Sequence, residues 1–283
     1  MAKRKVVNLR TASKPRLGQH FLSDGRAAEK IVDALGDIAQ RVVLEIGPGK
    51  GVLTNMLAPR AGRLIAIELD RILATELRYS FSRYPHVEIL EGDVLNIDFR
   101  TVLNRVVGPL TDLRPIEISR ARVIGNLPYY ITSDILLRLF EFHEQFDVIV
   151  IMVQREVGDR IAATPGTRDY GLFSATAQLY ARVENLFTLP PGAFSPPPKV
   201  HSSVLRLTIS PRFDELGVRP KDFIDFLKLA FAMKRKTLVN NLKKNYREQQ
   251  IRAVFSKAGL RPDARAEALA LEEMSALFCA LES

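Results

Sequence analysis

A strand-like apolar run that passes through a glycine-rich turn into a helix constrains the fold of this chain most. The run is Val42–Ile46, the turn is residues 47–51 and the amphipathic stretch is Val52–Leu57. Glycine adopts positive φ and lets another group approach the backbone closely, so this order of elements is typical of nucleotide-binding α/β folds. The sequence therefore predicts that a nucleotide-like ligand binds where this strand ends.

The spacing of the glycines argues against two common nucleotide sites. Gly47, Gly49 and Gly51 form G-x-G-x-G, whereas the dinucleotide fingerprint requires glycine or alanine at the position of Val52. A Walker phosphate loop requires Gly-Lys-Ser/Thr, which the sequence does not contain. The turn, preceded by the acid Glu45, instead resembles the S-adenosylmethionine loop of class I methyltransferases.

Two further apolar runs lead into acids. Glu68 follows the run 63–67 and lies 19 residues beyond Gly49, a distance at which an acid can accept both hydroxyls of a ribose. Asp93 follows the run 87–90 and is placed to accept the amine of an adenine. Each acid alone is more often a solvated strand end or a helix cap. Their order along the chain favours a ligand site.

The apolar run 121–125 ends in Asn126-Leu127-Pro128-Tyr129. The amine of adenine is a poor nucleophile, and two acceptors aimed at its N–H bonds would turn the nitrogen toward an attacking geometry. The Asn126 side-chain oxygen and the carbonyl of Leu127 or Pro128 can be those acceptors. Tyr129 offers a stacking face for a flipped-out base. The alternative interpretation is an ordinary strand end with a proline turn and a core tyrosine.

Together these features resemble the ribosomal RNA small-subunit adenine dimethyltransferases, the bacterial KsgA-type family. The resemblance covers nearly the whole chain. The motifs that carry it are residues 16–22 (Arg-Leu-Gly-Gln-His-Phe-Leu), the glycine turn, Glu68, Asp93, residues 126–129, residues 152–157 (Met-Val-Gln-Arg-Glu-Val), residues 194–200 (Phe-Ser-Pro-Pro-Pro-Lys-Val) and residues 231–236 (Phe-Ala-Met-Lys-Arg-Lys).

The resemblance implies a fold and a reaction. The fold is α/β, a class I (Rossmann-like) methyltransferase with a mostly parallel sheet, an antiparallel edge of late strands and a small C-terminal all-helical domain. The reaction is S-adenosylmethionine-dependent N6-dimethylation of two adjacent adenosines in the 3′-terminal hairpin of 16S (small-subunit) ribosomal RNA. Its partner is the immature 30S subunit during ribosome biogenesis.

The resemblance also implies roles for the site residues. Cofactor-binding residues are His20 and Leu22, which close over the ligand, together with Gly47, Gly49, Gly51, Glu68, Asp93 and Asn126. Catalytic residues are Asn126, Leu127, Pro128, Tyr129 and Phe194. The proline-rich stretch 189–198 is expected to hold Phe194 at the rim against the base, although it also fits a polyproline connector or a partner-binding motif.

Three features depart from the family pattern. His20 stands where asparagine is usual, and His201 stands where aspartate is common. Residues 104–120 are interpreted as an irregular surface insertion beside the site. Two other functions stay open: a large-subunit (23S) ribosomal RNA adenine methyltransferase that confers antibiotic resistance, and a small-subunit assembly factor whose catalysis is secondary.

Composition fits an RNA enzyme. The 283 residues, 47% of them hydrophobic, can bury an α/β core and a second small domain. A single cysteine, four histidines without ligand spacing and the lack of a long apolar run indicate no disulfide, no metal and no membrane span. We expect a cytoplasmic monomer.

The net charge of +9 is concentrated near the two ends. Residues 1–26 carry seven basic residues against one acid, and residues 221–252 carry nine against three. We predict a basic N-terminal segment 1–26 that closes over the cofactor, a methyltransferase domain 27–210 and a helical RNA-binding domain 211–283. The predicted RNA-binding face lies on one helix, although a solvated face is the usual meaning of such a run. Its residues are Lys234, Arg235, Lys236, Lys243, Lys244 and Arg247.

Overall fold

A seven-stranded sheet lies at the centre of this computed structural model, which describes residues 20–104 and 120–283. Most of the predicted N-terminal segment, residues 1–19, and most of the predicted insertion, residues 105–119, lie outside the described residues. The strands are β1 (Phe21–Leu22), β2 (Val42–Ile46), β3 (Arg63–Glu68), β4 (Val87–Glu91), β5 (Ala121–Asn126), β6 (Phe146–Gln154), β7 (Ala181–Leu189), β8 (Phe194–Ser195) and β9 (Ser202–Ile209).

Helices connect and follow these strands. They are α1 (Gly25–Asp33), α2 (Val52–Leu57), α3 (Arg71–Ser80), α4 (Phe99–Leu103), α5 (Thr132–Glu141), α6 (Arg155–Ile161), α7 (Leu172–Tyr180), α8 (Pro220–Ala230), α9 (Leu238–Leu242), α10 (Glu248–Lys257) and α11 (Leu271–Glu282), with 3₁₀ turns at Val94–Asn96, His143–Gln145, Pro191–Ala193 and Ala266–Ala268. Within the described part of the chain, no helix has the length and apolar character that crossing a membrane requires.

The strand order in the main sheet is β4-β3-β2-β5-β6-β9-β7. The first five of these strands are parallel, whereas β9 pairs antiparallel with both β6 and β7. The prediction of a mostly parallel sheet with antiparallel late strands is confirmed. The order reverses between β2 and β5, and in open α/β sheets ligands bind at such a reversal, outside the carboxyl ends of the strands.

Alternating strand residues fill two cores, one on each face of the sheet. On β2, Val43 packs into a core with α1, α2 and α3, whereas Leu44 packs into a core with α5. The second core continues without a break into α8, α9, α10 and α11 through Leu227, Leu238 and Ile251. The C-terminal helices, which confirm the predicted helical fold of this region, therefore share a hydrophobic core with the sheet.

The basic residues predicted to lie on one helix do not do so. Lys234, Arg235 and Lys236 lie in the loop between α8 and α9, Lys243 and Lys244 follow α9, and Arg247 caps α10. The prediction of one helical face is wrong because α8 ends at Ala230, and Thr237 then caps a new helix of only five residues.

A buried asparagine fixes the turn between α8 and α9. Asn241 is 2% exposed, and its Nδ2 donates to the carbonyl oxygens of Ala230 at 2.6 Å and Met233 at 3.4 Å. These carbonyls belong to the last turn of α8 and the loop after it, where helical acceptors lack intrahelical partners. Asn241 therefore stabilises the loop that carries Lys234, Arg235 and Lys236.

We predict that Asn241→Ala lowers the free energy of unfolding by about 1–3 kcal/mol, because it removes the side-chain donor of the buried Ala230 carbonyl, whereas the Met233 carbonyl keeps its bond from the Lys236 backbone N–H at 2.9 Å. The neighbouring Asn240 is exposed and is the matched control, so Asn240→Ala should change stability by less than about 0.5 kcal/mol. Urea unfolding of the two variants checks this expectation. Equal losses would contradict it.

Candidate active site

The carboxyl ends of β2, β3, β4 and β5 surround one cavity. Most of the predicted site residues line it together, although they come from positions up to 109 residues apart. These are His20, Gly47, Gly49, Glu68, Asp93, Asn126, Leu127, Pro128 and Tyr129. The lining also includes Phe21, Leu69 and Tyr130, which the sequence analysis did not single out.

The glycine turn needs its glycines for two different reasons. Gly47, Gly49 and Gly51 have φ values of 66°, 58° and 77°, which side-chain-bearing residues rarely adopt. A Cβ on Gly49 would lie 2.8 Å from the ring of Phe21 at the cavity wall. A Cβ on Gly51 would lie 2.9 Å from Leu77 on α3. Gly51 does not line the cavity, so in this structure its role is the packing of α2 against α3.

Glu68 joins the glycine turn to the end of β3. One carboxylate oxygen accepts from the backbone N–H of Gly49 at 2.9 Å, and the other accepts from that of Asp70 at 2.9 Å. Glu68 is buried, yet it borders the cavity. Because each carboxylate oxygen has two lone pairs, both can accept a further bond from a ligand hydroxyl. The arrangement fits a ribose diol.

Asp93 both caps a helical turn and lines the cavity. Its Oδ1 accepts from the backbone N–H of Leu95 at 3.0 Å, and its Oδ2 accepts from the side-chain amide of Asn96 at 3.1 Å. These bonds fix the carboxylate at the end of β4, and each oxygen keeps a lone pair for a ligand amine. The helix-cap interpretation and the ligand interpretation of Asp93 are therefore compatible.

Glu45, the acid that precedes the glycine turn, does not line the cavity. It lies within β2 on the face covered by α2, is 1% exposed, and accepts from the Thr54 hydroxyl at 2.8 Å. Its Oε1 has no hydrogen-bond partner among the described residues. Burial, reinforced by the nearby charge of Glu68, raises the pKa of Glu45 to about 8, against the lowering effect of the Thr54 bond. Its position in an otherwise apolar strand was the signal for burial.

Asn126 has a defined orientation at the end of β5. Its Nδ2 donates to the backbone carbonyl of His20 at 2.9 Å, so Oδ1 is the amide atom left to accept from a ligand. The Pro128 carbonyl already accepts from the backbone of Ile131 at 3.2 Å and the hydroxyl of Thr132 at 3.1 Å. Of the two carbonyls that the sequence left open, that of Leu127 is the better ligand acceptor.

Both the hydroxyl and the ring of Tyr129 contact other residues. Its hydroxyl is 3.2 Å from the Ser202 hydroxyl at the start of β9. Its ring stacks on the imidazole of His20, with a centroid separation of 5.9 Å and an interplanar angle of 28°. The His20 Nδ1 is in turn 2.8 Å from the Pro196 carbonyl oxygen. These contacts join three motifs that are distant in the sequence.

Two predicted positions need correction. Leu22 and Phe194 are 5% and 3% exposed, pack in the core on the α1–α3 face and do not line the cavity. The expectation that Phe194 stands at the rim is wrong because β1 and β8 pair antiparallel with Leu22 opposite Phe194. The backbone N–H of Ser23 also donates to the Ala193 carbonyl at 2.8 Å, and the pairing keeps both side chains inside.

The polar side chains at the cavity fit a nucleoside ligand. Within residues 20–104 and 120–283, no cluster of three or more His, Cys, Asp or Glu side chains is arranged to bind a metal ion. Glu68 and Asp93 instead offer acceptors to a ribose and an adenine amine, and the lack of a Cβ on Gly49 leaves room beside Phe21. The residues present fit S-adenosylmethionine.

Sequence and structure comparisons agree with this geometry. A profile of the ribosomal RNA adenine dimethylase family matches residues 10–282. The chain is 58% identical to ribosomal RNA small subunit methyltransferase A of Koribacter versatilis over 96% of this chain and 95% of that protein. It is 52% identical to the protein of the same name from Acidobacterium capsulatum over 99% of this chain and 95% of that protein.

Two solved structures share the fold. A dimethyladenosine transferase from Plasmodium falciparum superposes with a TM-score of 0.72 at 23% identity, covering 93% of this chain and 98% of that one. The 23S rRNA methyltransferase ErmE superposes with a TM-score of 0.68 at 24% identity, covering 93% of this chain and 100% of that one. The fold is that of the class I methyltransferases and the cofactor is S-adenosylmethionine. The chain belongs to the ribosomal RNA adenine dimethylase family.

Proposed function

We propose that this enzyme dimethylates N6 of two adjacent adenosines in the 3′-terminal hairpin of small-subunit ribosomal RNA during ribosome biogenesis. Two relatives named for the small subunit, at 58% and 52% identity over nearly their whole length, support this choice of RNA. The observation that carries the chemistry is the fixed amide of Asn126, whose Nδ2 is held by the His20 carbonyl at 2.9 Å.

In this proposal, the cofactor supplies an electrophilic methyl group, and the protein prepares the nitrogen that attacks it. Asn126 Oδ1 and the Leu127 carbonyl accept the two N–H bonds of the adenine amine and favour a tetrahedral nitrogen. The first methylation releases one of those protons to water. The remaining N–H keeps one acceptor for the second methylation, so the same site can act twice.

The cofactor roles of the lining residues follow from their positions. Glu68 would accept from the ribose hydroxyls, Asp93 from the adenine amine, and the Gly47–Gly49 backbone would lie against the methionyl part. Phe21 and His20 cover this part of the cavity from the N-terminal side. Phe21 is therefore added to the predicted cofactor residues, whereas Leu22 acts through the core that supports it.

The large-subunit alternative gains no support from the structure. ErmE shares the fold at 24% identity, a level at which the fold alone is informative. The relatives named for the small subunit are more than twice as similar. The intact set of predicted cofactor and base residues at the cavity favours an enzyme over a purely non-catalytic assembly factor.

We propose that the loop after α8 binds the RNA backbone of the immature 30S subunit. Arg235 and Lys236 are exposed there, whereas the ammonium group of Lys234 donates to the Arg168 carbonyl at 2.8 Å and so ties the loop to the α6–α7 connection. Lys244 and Arg247 are exposed nearby in the sequence, and Lys243 forms an ion pair with Glu248 at 2.7 Å. We also propose that the enzyme acts as a monomer in the cytoplasm, which its ribosomal relatives support.

We predict that Gly49→Ala abolishes most cofactor binding, because the new Cβ would meet the Phe21 ring at 2.8 Å and the backbone has φ 58°. Gly166→Ala is the control for backbone strain alone, since Gly166 has φ 84° but no atom within 4 Å of a new Cβ. Calorimetry with S-adenosylmethionine distinguishes them. Equal affinity in both variants would place the cofactor elsewhere.

We predict that Asn126→Ala lowers the single-turnover rate of methylation by about 10²–10³-fold, the usual effect of removing one preorganised partner of the transition state. The affinity for undermethylated small subunits should change little, because phosphate contacts provide most of it. Rapid-quench assays with saturating cofactor check the rate. A variant that reacts at the wild-type rate would make this motif a structural turn only.

We predict that Arg235→Ala combined with Lys236→Ala flattens the dependence of RNA affinity on salt by about 1.5 units of slope, near 0.7–0.9 per phosphate contact. Lys228 and Arg252 are matched controls because ion pairs with Asp225 at 3.0 Å and Glu248 at 2.5 Å already engage them. Filter binding at several salt concentrations gives the slope. An unchanged slope in the double variant would mean that these two side chains face solvent and make no contact with RNA phosphates.

A further inference from the structure

His20 contacts the catalytic region in three ways, through its ring, its Nδ1 and its backbone carbonyl. The ring stacks on Tyr129, Nδ1 is 2.8 Å from the Pro196 carbonyl oxygen, and the backbone carbonyl accepts from Asn126 at 2.9 Å. The first of these contacts requires an aromatic ring. The asparagine usual at this position in the family cannot make it.

The imidazole covers one face of the Tyr129 ring, and the proposed function assigns this ring to the stacking of the flipped base. His20, Asn126 and Tyr129 all line the same cavity, and the Tyr129 hydroxyl is held by Ser202 at 3.2 Å, which restricts the tilt of its ring. Adenine must reach Asn126 with its amine and lie against Tyr129 with its face. Imidazole is a flat heteroaromatic ring and covers the same kind of surface as the five-membered half of a purine.

The backbone of His20 favours base binding, whereas its side chain opposes it. Its carbonyl commits Asn126 Nδ2 and so turns Oδ1 toward the ligand. The contact between Nδ1 and the Pro196 carbonyl, just after β8, restrains the imidazole. The main chain of His20 therefore prepares the base site while the side chain covers part of it.

We infer that His20 is a positioning residue whose imidazole stands in for the target base on Tyr129 until adenine displaces it. The inference rests on the proposed function, since it requires that Tyr129 stacks on the target. Adenine that enters the site must break the stacking of His20 on Tyr129, whereas the carbonyl bond to Asn126 stays in place. Removing the ring while keeping the backbone should therefore strengthen base binding.

The test uses free adenosine as the probe and enzyme saturated with S-adenosylhomocysteine, so that the cofactor site is blocked. His20→Asn removes the ring but keeps a donor for Pro196 and the backbone carbonyl. By NMR titration it should bind adenosine about two- to tenfold more tightly than wild type, the range for one aromatic pair. His20→Phe keeps a ring on Tyr129 and should bind no more tightly than wild type.

His86→Asn is the matched control. The His86 imidazole is also bonded to a backbone carbonyl, that of Ala58 at 2.7 Å, and lies edge-on to Tyr84 at 5.8 Å, but it does not line the cavity. Its adenosine affinity should equal that of wild type. A gain in affinity that is confined to His20→Asn supports the inference, because loss of a merely structural contact would weaken binding.

Two outcomes separate the inference from the proposed function. If Tyr129→Ala weakens adenosine binding but His20→Asn leaves it unchanged or weaker, the base site stands and the role of His20 is wrong. If Tyr129→Ala has no effect on adenosine binding, the nucleoside binds elsewhere. The proposed base site would then be wrong, and so would the inference about His20.

Discussion

The parallel pairing of β2 with β5 is the contact on which the site depends. Ile46 lies opposite Gly125, and a Cβ at Gly125 would lie 2.7 Å from the Ile46 carbonyl oxygen. This approach places the glycine turn that follows β2 beside the asparagine that ends β5. The proposed cofactor and base surfaces therefore meet where β2 and β5 end, and Glu68 and Asp93 extend the cofactor surface to the ends of β3 and β4.

A second set of contacts completes the site from outside the sheet. The short pair β1–β8 joins residues 170 or more positions apart and carries His20 and Phe21 over the cavity. The carbonyl of His20 then orients Asn126, which the sheet alone leaves free to rotate. The geometry of the proposed site thus depends on both a pattern of parallel strands and one long-range backbone pairing.

The difference between local strand patterns and the long-range pairing of β1 with β8 explains which parts of the site the sequence could predict. Local patterns predict the strand Val42–Ile46, the helix Val52–Leu57 and the acids Glu68 and Asp93. These acids come together because the carboxyl ends of parallel strands lie at the same edge of the sheet. The burial of Phe194 and the role of Phe21 depend on the β1–β8 pairing, which no local pattern encodes. The prediction that the basic residues after α8 lie on one helix is wrong because clustered charge does not reveal where a helix ends.

The continuous core beneath the sheet and the C-terminal helices has a consequence for the proposed recognition of RNA. Leu205 on β9 and Leu227 on α8 belong to the same core, and Lys234 is bonded to Arg168 across the surface. The loop that carries Arg235 and the strand end that carries Asn126 are therefore joined through one continuous core. If the loop after α8 binds RNA as proposed, this core sets the separation between that contact and Asn126, and an adenosine would be selected by its distance from the contact in the folded RNA rather than by its neighbours in sequence.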